Sequence, residues 1–242
     1  MASMQLQYDN FLFSLNYEIV NFSAKNSVLF LHGWGSNKEI MKQAFGKTLS
    51  DFKHIYLDMA GFGRSSIPQE ALTTEDYKNI VSLFLKNISN EAPLIVVGHS
   101  FGGKVGTLLN PKNLILLSSA GIVLKKRFSV KLKIAIFKIL KTLGFSFLRN
   151  LFISKDAQNM PESMYQTFKN VVDEDFSEKF ASFKNKAIIF WGSQDDTTPP
   201  AMGKQINGLI KNSTFVPLAG DHYFFLQNSR YIAQKIVEEI DI

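Results

Sequence analysis

The stretch that most constrains this chain is Gly98-His99-Ser100-Phe101-Gly102-Gly103. Before it runs Ala92-Pro93-Leu94-Ile95-Val96-Val97, which reads as a fully buried strand, and after it comes 104–109, which can start a helix. A strand, then G-x-S-x-G, then a helix is the arrangement that holds a serine in a strained backbone conformation at the tip of a sharp turn. Gly98 and Gly102 stand two residues either side of Ser100, where a Cβ would block the close approach of strand and helix. A glycine-rich loop with an incidental serine would have the same letters, so the rest of the chain has to decide.

The other segments arrange themselves around that turn as alternating strands and helices. Phe11 to Val20 alternates well enough for one or two antiparallel strands, and Ser27-Val28-Leu29-Phe30-Leu31 is a short apolar run ending in His32-Gly33-Trp34-Gly35. Lys38 to Leu49 reads as a helix, Lys53 to Leu57 as a strand ending at Asp58, and Thr74 to Ile88 as an amphipathic helix. Further strands are expected at Asn113 to Leu117, Lys186 to Trp191 and Ser213 to Pro217, and helices at Pro200 to Ile210 and Phe224 to Ile240. Wholly apolar strands between helices imply an α/β fold, a mostly parallel central sheet covered by helices on both faces. With 242 residues, 45% of them hydrophobic, one such domain is expected over 1–242. Its core spans 1–120 and 186–242. Residues 121–185 fit no strand–helix unit and read as an inserted helical cap.

In a parallel sheet the reactive groups gather at the carboxyl ends of the strands. A serine hydroxyl is a poor nucleophile and needs a base that is itself oriented by a third group. On this topology the partners follow in the order Ser, acid, His. Of the four histidines, His32, His54, His99 and His222, only His222 lies after Ser100 with a carboxylate between them. It sits just past the last expected strand and before the final helix. The acid is expected in Gly192-Ser193-Gln194-Asp195-Asp196, after the preceding strand, and periodicity does not choose between Asp195 and Asp196. The strand ending at Leu117 is followed by Ser118-Ser119-Ala120-Gly121, which carries no acid.

Five motifs in this order resemble the landmarks of the α/β-hydrolase family: His32-Gly33-x-Gly35, Asp58-x-x-Gly61-x-Gly63-x-Ser65, Gly98-x-Ser100-x-Gly102-Gly103, Gly192-x-x-Asp195-x-x-x-Pro199 and Gly220-x-His222. The resemblance covers nearly the whole chain except the cap. It implies Asp195 as the acid, with Asp196 in reserve, and a Ser100–His222–Asp195 triad acting through an acyl-enzyme. The backbone N–H of Phe101 and, by resemblance, that of Trp34 would meet the oxyanion. It also implies a cofactor-free serine hydrolase for a small ester or similarly activated acyl substrate. A C–C bond hydrolase of the meta-cleavage type is the alternative, and a non-catalytic ligand-binding member of the fold a further one. His32 and His99 are expected to brace the site, and the Asp58 loop to scaffold its mouth. No His/Asp/Glu cluster has metal-ligand spacing, and no phosphate loop is present.

The formal charge of +6 is local. Of the 27 basic residues, nine fall in 122–155, which has no Asp or Glu, so the remaining 18 face 21 acidic ones. A basic, apolar cap segment of this kind suits solvated lysines over a covered pocket, or docking of an acidic carrier protein or a membrane surface through Lys131, Lys138 and Lys141. The interleaved Leu, Ile and Phe argue against nucleic acid. The chain has no Cys, no secretory signal pattern and no run long enough to span a bilayer, which makes a cytoplasmic location the expectation.

Overall fold

The computed structural model describes residues 2–89, 91–123 and 160–240. Eight strands form one sheet in the order β1-β2-β4-β3-β5-β6-β7-β8. They are β1 (Ala2–Tyr8), β2 (Phe11–Val20), β3 (Ser27–Leu31), β4 (Lys53–Leu57), β5 (Ile95–His99), β6 (Asn113–Leu117), β7 (Lys186–Gly192) and β8 (Ser213–Leu218). The pairs β1–β2 and β2–β4 are antiparallel. All the others are parallel.

The apolar runs are explained by the pleat. Val28 and Phe30 of β3, Ile95 and Val97 of β5, Ile115 and Leu117 of β6 and Ile188 and Phe190 of β7 point to one face. The residues between them supply the two clusters on the other side: Leu29, Leu31 and Val96 in one, Leu114, Leu116, Ile189 and Trp191 in the second. Because both faces are covered, alternation along these strands disappears from the sequence. Helices α1 (Lys38–Phe45) and α7 (Phe225–Glu239) cover the first face through Met41, Phe45, Phe225, Ile232 and Ile236. Helices α2 (Thr74–Ile88) and α3 (Phe101–Leu109) cover the opposite face. Further along that face, Phe180 of α5 (Ser177–Ser182) and Ile206 of α6 (Pro200–Leu209) close over Trp191.

Some boundaries differ from the sequence reading. Helix α1 stops at Phe45 rather than Leu49: the Phe45 carbonyl accepts from Thr48 N–H and Oγ1, each at 3.0 Å, in place of the Leu49 N–H that a continuing helix would use, and Leu49 then turns back with φ +49°. Strand β5 begins at Ile95 and runs through His99. Strand β1 was not expected at all. As an edge strand it turns Met4, Leu6 and Tyr8 inward while Ser3, Gln5 and Gln7 stay exposed or nearly so.

Within the expected cap, 121–185, helix α4 (Glu162–Val171) lies along the loop between β4 and α2. Ser163 Oγ donates to Pro68 O at 2.7 Å, Thr167 Oγ1 accepts from Leu72 N at 2.9 Å, and Asn170 Nδ2 donates to Leu72 O at 3.1 Å. The basic stretch with Lys131, Lys138 and Lys141 lies outside the described residues. Among the described residues, no helix is long and apolar enough to cross a membrane.

Candidate active site

Ser100 stands between β5 and α3 with φ +50° and ψ −112°, a conformation that costs a non-glycine residue about 1–3 kcal/mol. The turn is tight enough to need its glycines. A Cβ on Gly98 would lie 2.4 Å from Gly102 O, and one on Gly102 would lie 2.5 Å from Leu31 O. The end of β6 clamps the turn from the side: Ser100 N–H donates to Leu117 O at 3.1 Å, and Ala120 N–H donates to Ser100 O at 3.1 Å.

Past β7 the chain folds into a turn in which Asp195 is buried and Asp196 exposed. The Asp195 carboxylate is filled on both oxygens. Oδ1 accepts from the N–H groups of Thr197 and Thr198, each at 2.9 Å. Oδ2 accepts from Thr198 Oγ1 at 2.9 Å and from His222 Nδ1 at 2.8 Å. Burial alone would raise this carboxyl, but the hydrogen bonds, led by that of His222 and the Thr198 amide, hold it down at about 2. Asp195 is therefore an anion, and Nδ1 of His222 carries the proton that faces it. That leaves the Nε2 lone pair available as a base.

His222 follows β8, on the loop that leads into α7. His222 and Ser100 line the same cavity of about 460 Å³, whose wall also includes Gly33, Trp34, Phe101 and Thr198. Among the described residues no hydrogen bond joins Ser100 Oγ to the His222 ring, and such bonds commonly tighten only with substrate bound. The rest of the wall is mainly apolar, with Ile122, Phe168, Val171, Met202 and Tyr223. Trp34 is held edge-on by Phe62 and Phe101, at centroid distances of 4.8 and 5.6 Å, and leans on Phe168 of α4.

The other two site histidines are buried braces. His32 Nε2 accepts from Met59 N–H at 3.1 Å, so Nδ1 carries the proton and donates to Gly33 O at 2.8 Å. It thus ties the Gly33-Trp34 loop to the loop after β4, and burial drives its pKa down to about 4. His99 donates from Nε2 to His222 O at 3.0 Å, and its ring lies 4.6 Å from that of His222. Burial first, then the neighbouring His222, lowers it to about 3. Both rings are neutral at ordinary pH.

Asp58 anchors the same loop from below. Its Oδ1 accepts from Lys38 N–H at 2.7 Å, and its Oδ2 accepts from Lys38 Nζ and Arg64 N–H, each at 3.0 Å. Lys38 is 1% exposed. The sequence reading missed this partner, since a lysine at the start of an amphipathic helix looks solvated. It also missed Lys104, a buried ammonium on α3 at the cavity wall. Lys104 Nζ donates to Val171 O at 2.7 Å, pairs with Glu174 at 2.7 Å, and lies 4.5 Å from the Phe176 ring centroid. Burial lowers its pKa against the pull of Glu174. With those three neighbours its charge is already spoken for, and it pins the segment after α4 to α3. Thr198 and Ser118 carried no sequence signal either.

Residues 26–113 match the alpha/beta hydrolase fold family. A curated relative, a 1-acylglycerol-3-phosphate O-acyltransferase of Arabidopsis thaliana, is 31% identical over 117 residues. That match takes in 42% of this chain and 28% of the relative, so the chain spans under a third of its length. Among solved structures, a hydrolase from Pseudomonas aeruginosa PA01 superposes with a TM-score of 0.76 at 18% identity, over 98% of this chain and 97% of that one. A thermophilic esterase from Thermogutta terrifontis superposes with a TM-score of 0.71 at 15% identity, over the same shares. At those identities the superpositions speak for the fold. Together with the sheet order and the matched segment, they show that the chain has the α/β-hydrolase fold.

Proposed function

We propose that the chain is a cofactor-free serine hydrolase acting on a carboxylic ester or a similarly activated carbonyl compound. The observation that carries this reading is the 2.8 Å bond between Asp195 Oδ2 and His222 Nδ1, beside a serine in a strained turn on the same cavity. Ser100 Oγ attacks the carbonyl carbon while Nε2 of His222 takes its proton. Asp195 keeps the imidazole in the tautomer that can do so and stabilises the imidazolium that forms. The developing oxyanion is met by the N–H groups of Phe101 and Trp34, each contributing about 3 kcal/mol to the transition state. His222 returns the proton to the leaving alcohol, then activates a water that releases the acid from Ser100.

A fluorophosphonate probe, applied to the native chain and to Ser100→Ala, tests the nucleophile. A panel of p-nitrophenyl acyl esters tests the substrate class. The native chain should label and turn over esters, and the alanine variant should do neither. A native chain that does not label sinks the reading, and one that labels but cleaves no ester moves it to the C–C bond alternative. Asp195→Asn should lower kcat by about 10⁴, the size of effect seen when the tautomer is lost. Asp196→Asn should leave kcat nearly untouched, and the reverse ranking would reassign the acid.

A further inference from the structure

We propose that Thr198 is a positioning residue for the Asp195–His222 pair, an inference that rests on the serine hydrolase reading of the site. Thr198 is buried on the cavity wall. Its hydroxyl oxygen lies 2.9 Å from Asp195 Oδ2, 3.2 Å from His222 Nδ1 and 3.2 Å from Ser118 O. It therefore touches the acid, the base and the turn after β6, and each contact has a different consequence.

A hydroxyl has one proton and two acceptor positions. The proton can go to Asp195 Oδ2 or to Ser118 O, and the ionised carboxylate is the stronger acceptor. The lone pairs then face the Nδ1–H of His222, which is shared between Oδ2 at 2.8 Å and Oγ1 at 3.2 Å. The imidazole plane is thus held by two acceptors rather than one. The carboxylate is held by four donors, half of them from Thr198, through its amide and its hydroxyl. Thr198 is in turn fixed from behind, because Trp191 Nε1 of β7 donates to its carbonyl at 2.7 Å.

The third contact reaches the nucleophile. Ser118 is buried with φ +44°, and its N–H donates to Phe190 O at 3.0 Å. It directly follows Leu117, whose carbonyl receives Ser100 N–H, and two residues later Ala120 N–H bonds to Ser100 O. With its proton on Asp195, the Thr198 hydroxyl abuts Ser118 O at 3.2 Å without bonding it, so the acid–base pair lies packed beside the strand end that clamps Ser100. Besides Asp195 in its own turn, the hydroxyl lies against His222, 24 residues away in the chain.

Thr198→Val keeps the shape and removes the hydroxyl, leaving a methyl against Oδ2, whereas Thr198→Ser keeps the hydroxyl. On p-nitrophenyl esters, Thr198→Val should lower kcat about tenfold with KM within about twofold, as expected for misplaced catalytic groups. Thr198→Ser should recover most of the loss. The second readout does not depend on turnover. In 1H–15N spectra of the whole chain, the low-field Nδ1–H resonance of His222, identified by its loss in His222→Gln, should move in Thr198→Val and return in Thr198→Ser. An unmoved resonance in Thr198→Val overturns the proposal, as does equal loss of kcat in both variants. Failure of the native chain to label with fluorophosphonate would instead remove the hydrolase reading, so the two failures are told apart.

Discussion

Ser100 pays for its exposure in backbone strain. A φ of +50° with ψ −112° suits glycine and clashes with any Cβ. The conformation persists because Leu117 O, Ala120 N–H and the Gly98–Gly102 contact over-determine it. If strain is stored there, Ser100→Gly should unfold at a higher urea concentration than Ser100→Ala, with a gain of about 1 kcal/mol. Equal stability of the two variants would mean that the turn is not strained in solution. Which aspartate meets His222 is also decided at this scale. Asp195 and Asp196 are neighbours in the sequence, but only Asp195 is buried with four donors around it.

Among the elements, the sharpest constraint is the packing of α3 against β3 and β5. A methyl on Gly102 would sit 2.5 Å from Leu31 O and 2.6 Å from His32 O, both of them backbone atoms that cannot step aside. Gly102→Ala should therefore destabilise the fold by about 2–3 kcal/mol, by overpacking, and reduce labelling of Ser100. On α6, Gly208 meets nothing within 4 Å. Gly208→Ala should stabilise by about 0.5 kcal/mol, through helix propensity alone. Urea denaturation of the two variants checks both, and a destabilisation of similar size in each would deny that close approach is the cause at Gly102. Helix α2 shows the more ordinary case of local legibility. Its start at Thr74 is readable because Thr73 and Asp76 form a reciprocal cap, Thr73 N–H donating to Asp76 Oδ2 at 2.7 Å and Asp76 N–H to Thr73 Oγ1 at 3.2 Å.

For the molecule as a whole, the buried histidines set the response to acid. His32 and His99 fall from 6.5 to about 4 and about 3 on folding, so below 6.5 the unfolded chain binds protons that the folded chain refuses. Stability is then full above 6.5 and declines as pH falls, each histidine adding a slope of up to about 1.4 kcal/mol per unit. Asp195, lowered from 3.8 to about 2, takes over below that range, its contribution being lost between about 4 and about 2. Urea unfolding at about pH 7 and about pH 5 should differ by about 4 kcal/mol, and a flat profile would contradict the burial of these rings. The sequence by itself determined the parallel sheet, because strands buried on both faces must be wholly apolar. It also put Ser100 and His222 at strand ends, because a sharp turn needs glycines and few histidines were eligible. Edge strand β1 escaped, since half its side chains face water. Periodicity left Asp195 and Asp196 open and only the family resemblance favoured Asp195, so the tertiary structure supplied its contact with His222, as it did those of Lys104 with Val171 and of Thr198 with Ser118. Those last two partners stand 67 and 80 residues apart in the chain, and strand order and register bring them together where no local pattern of side chains could.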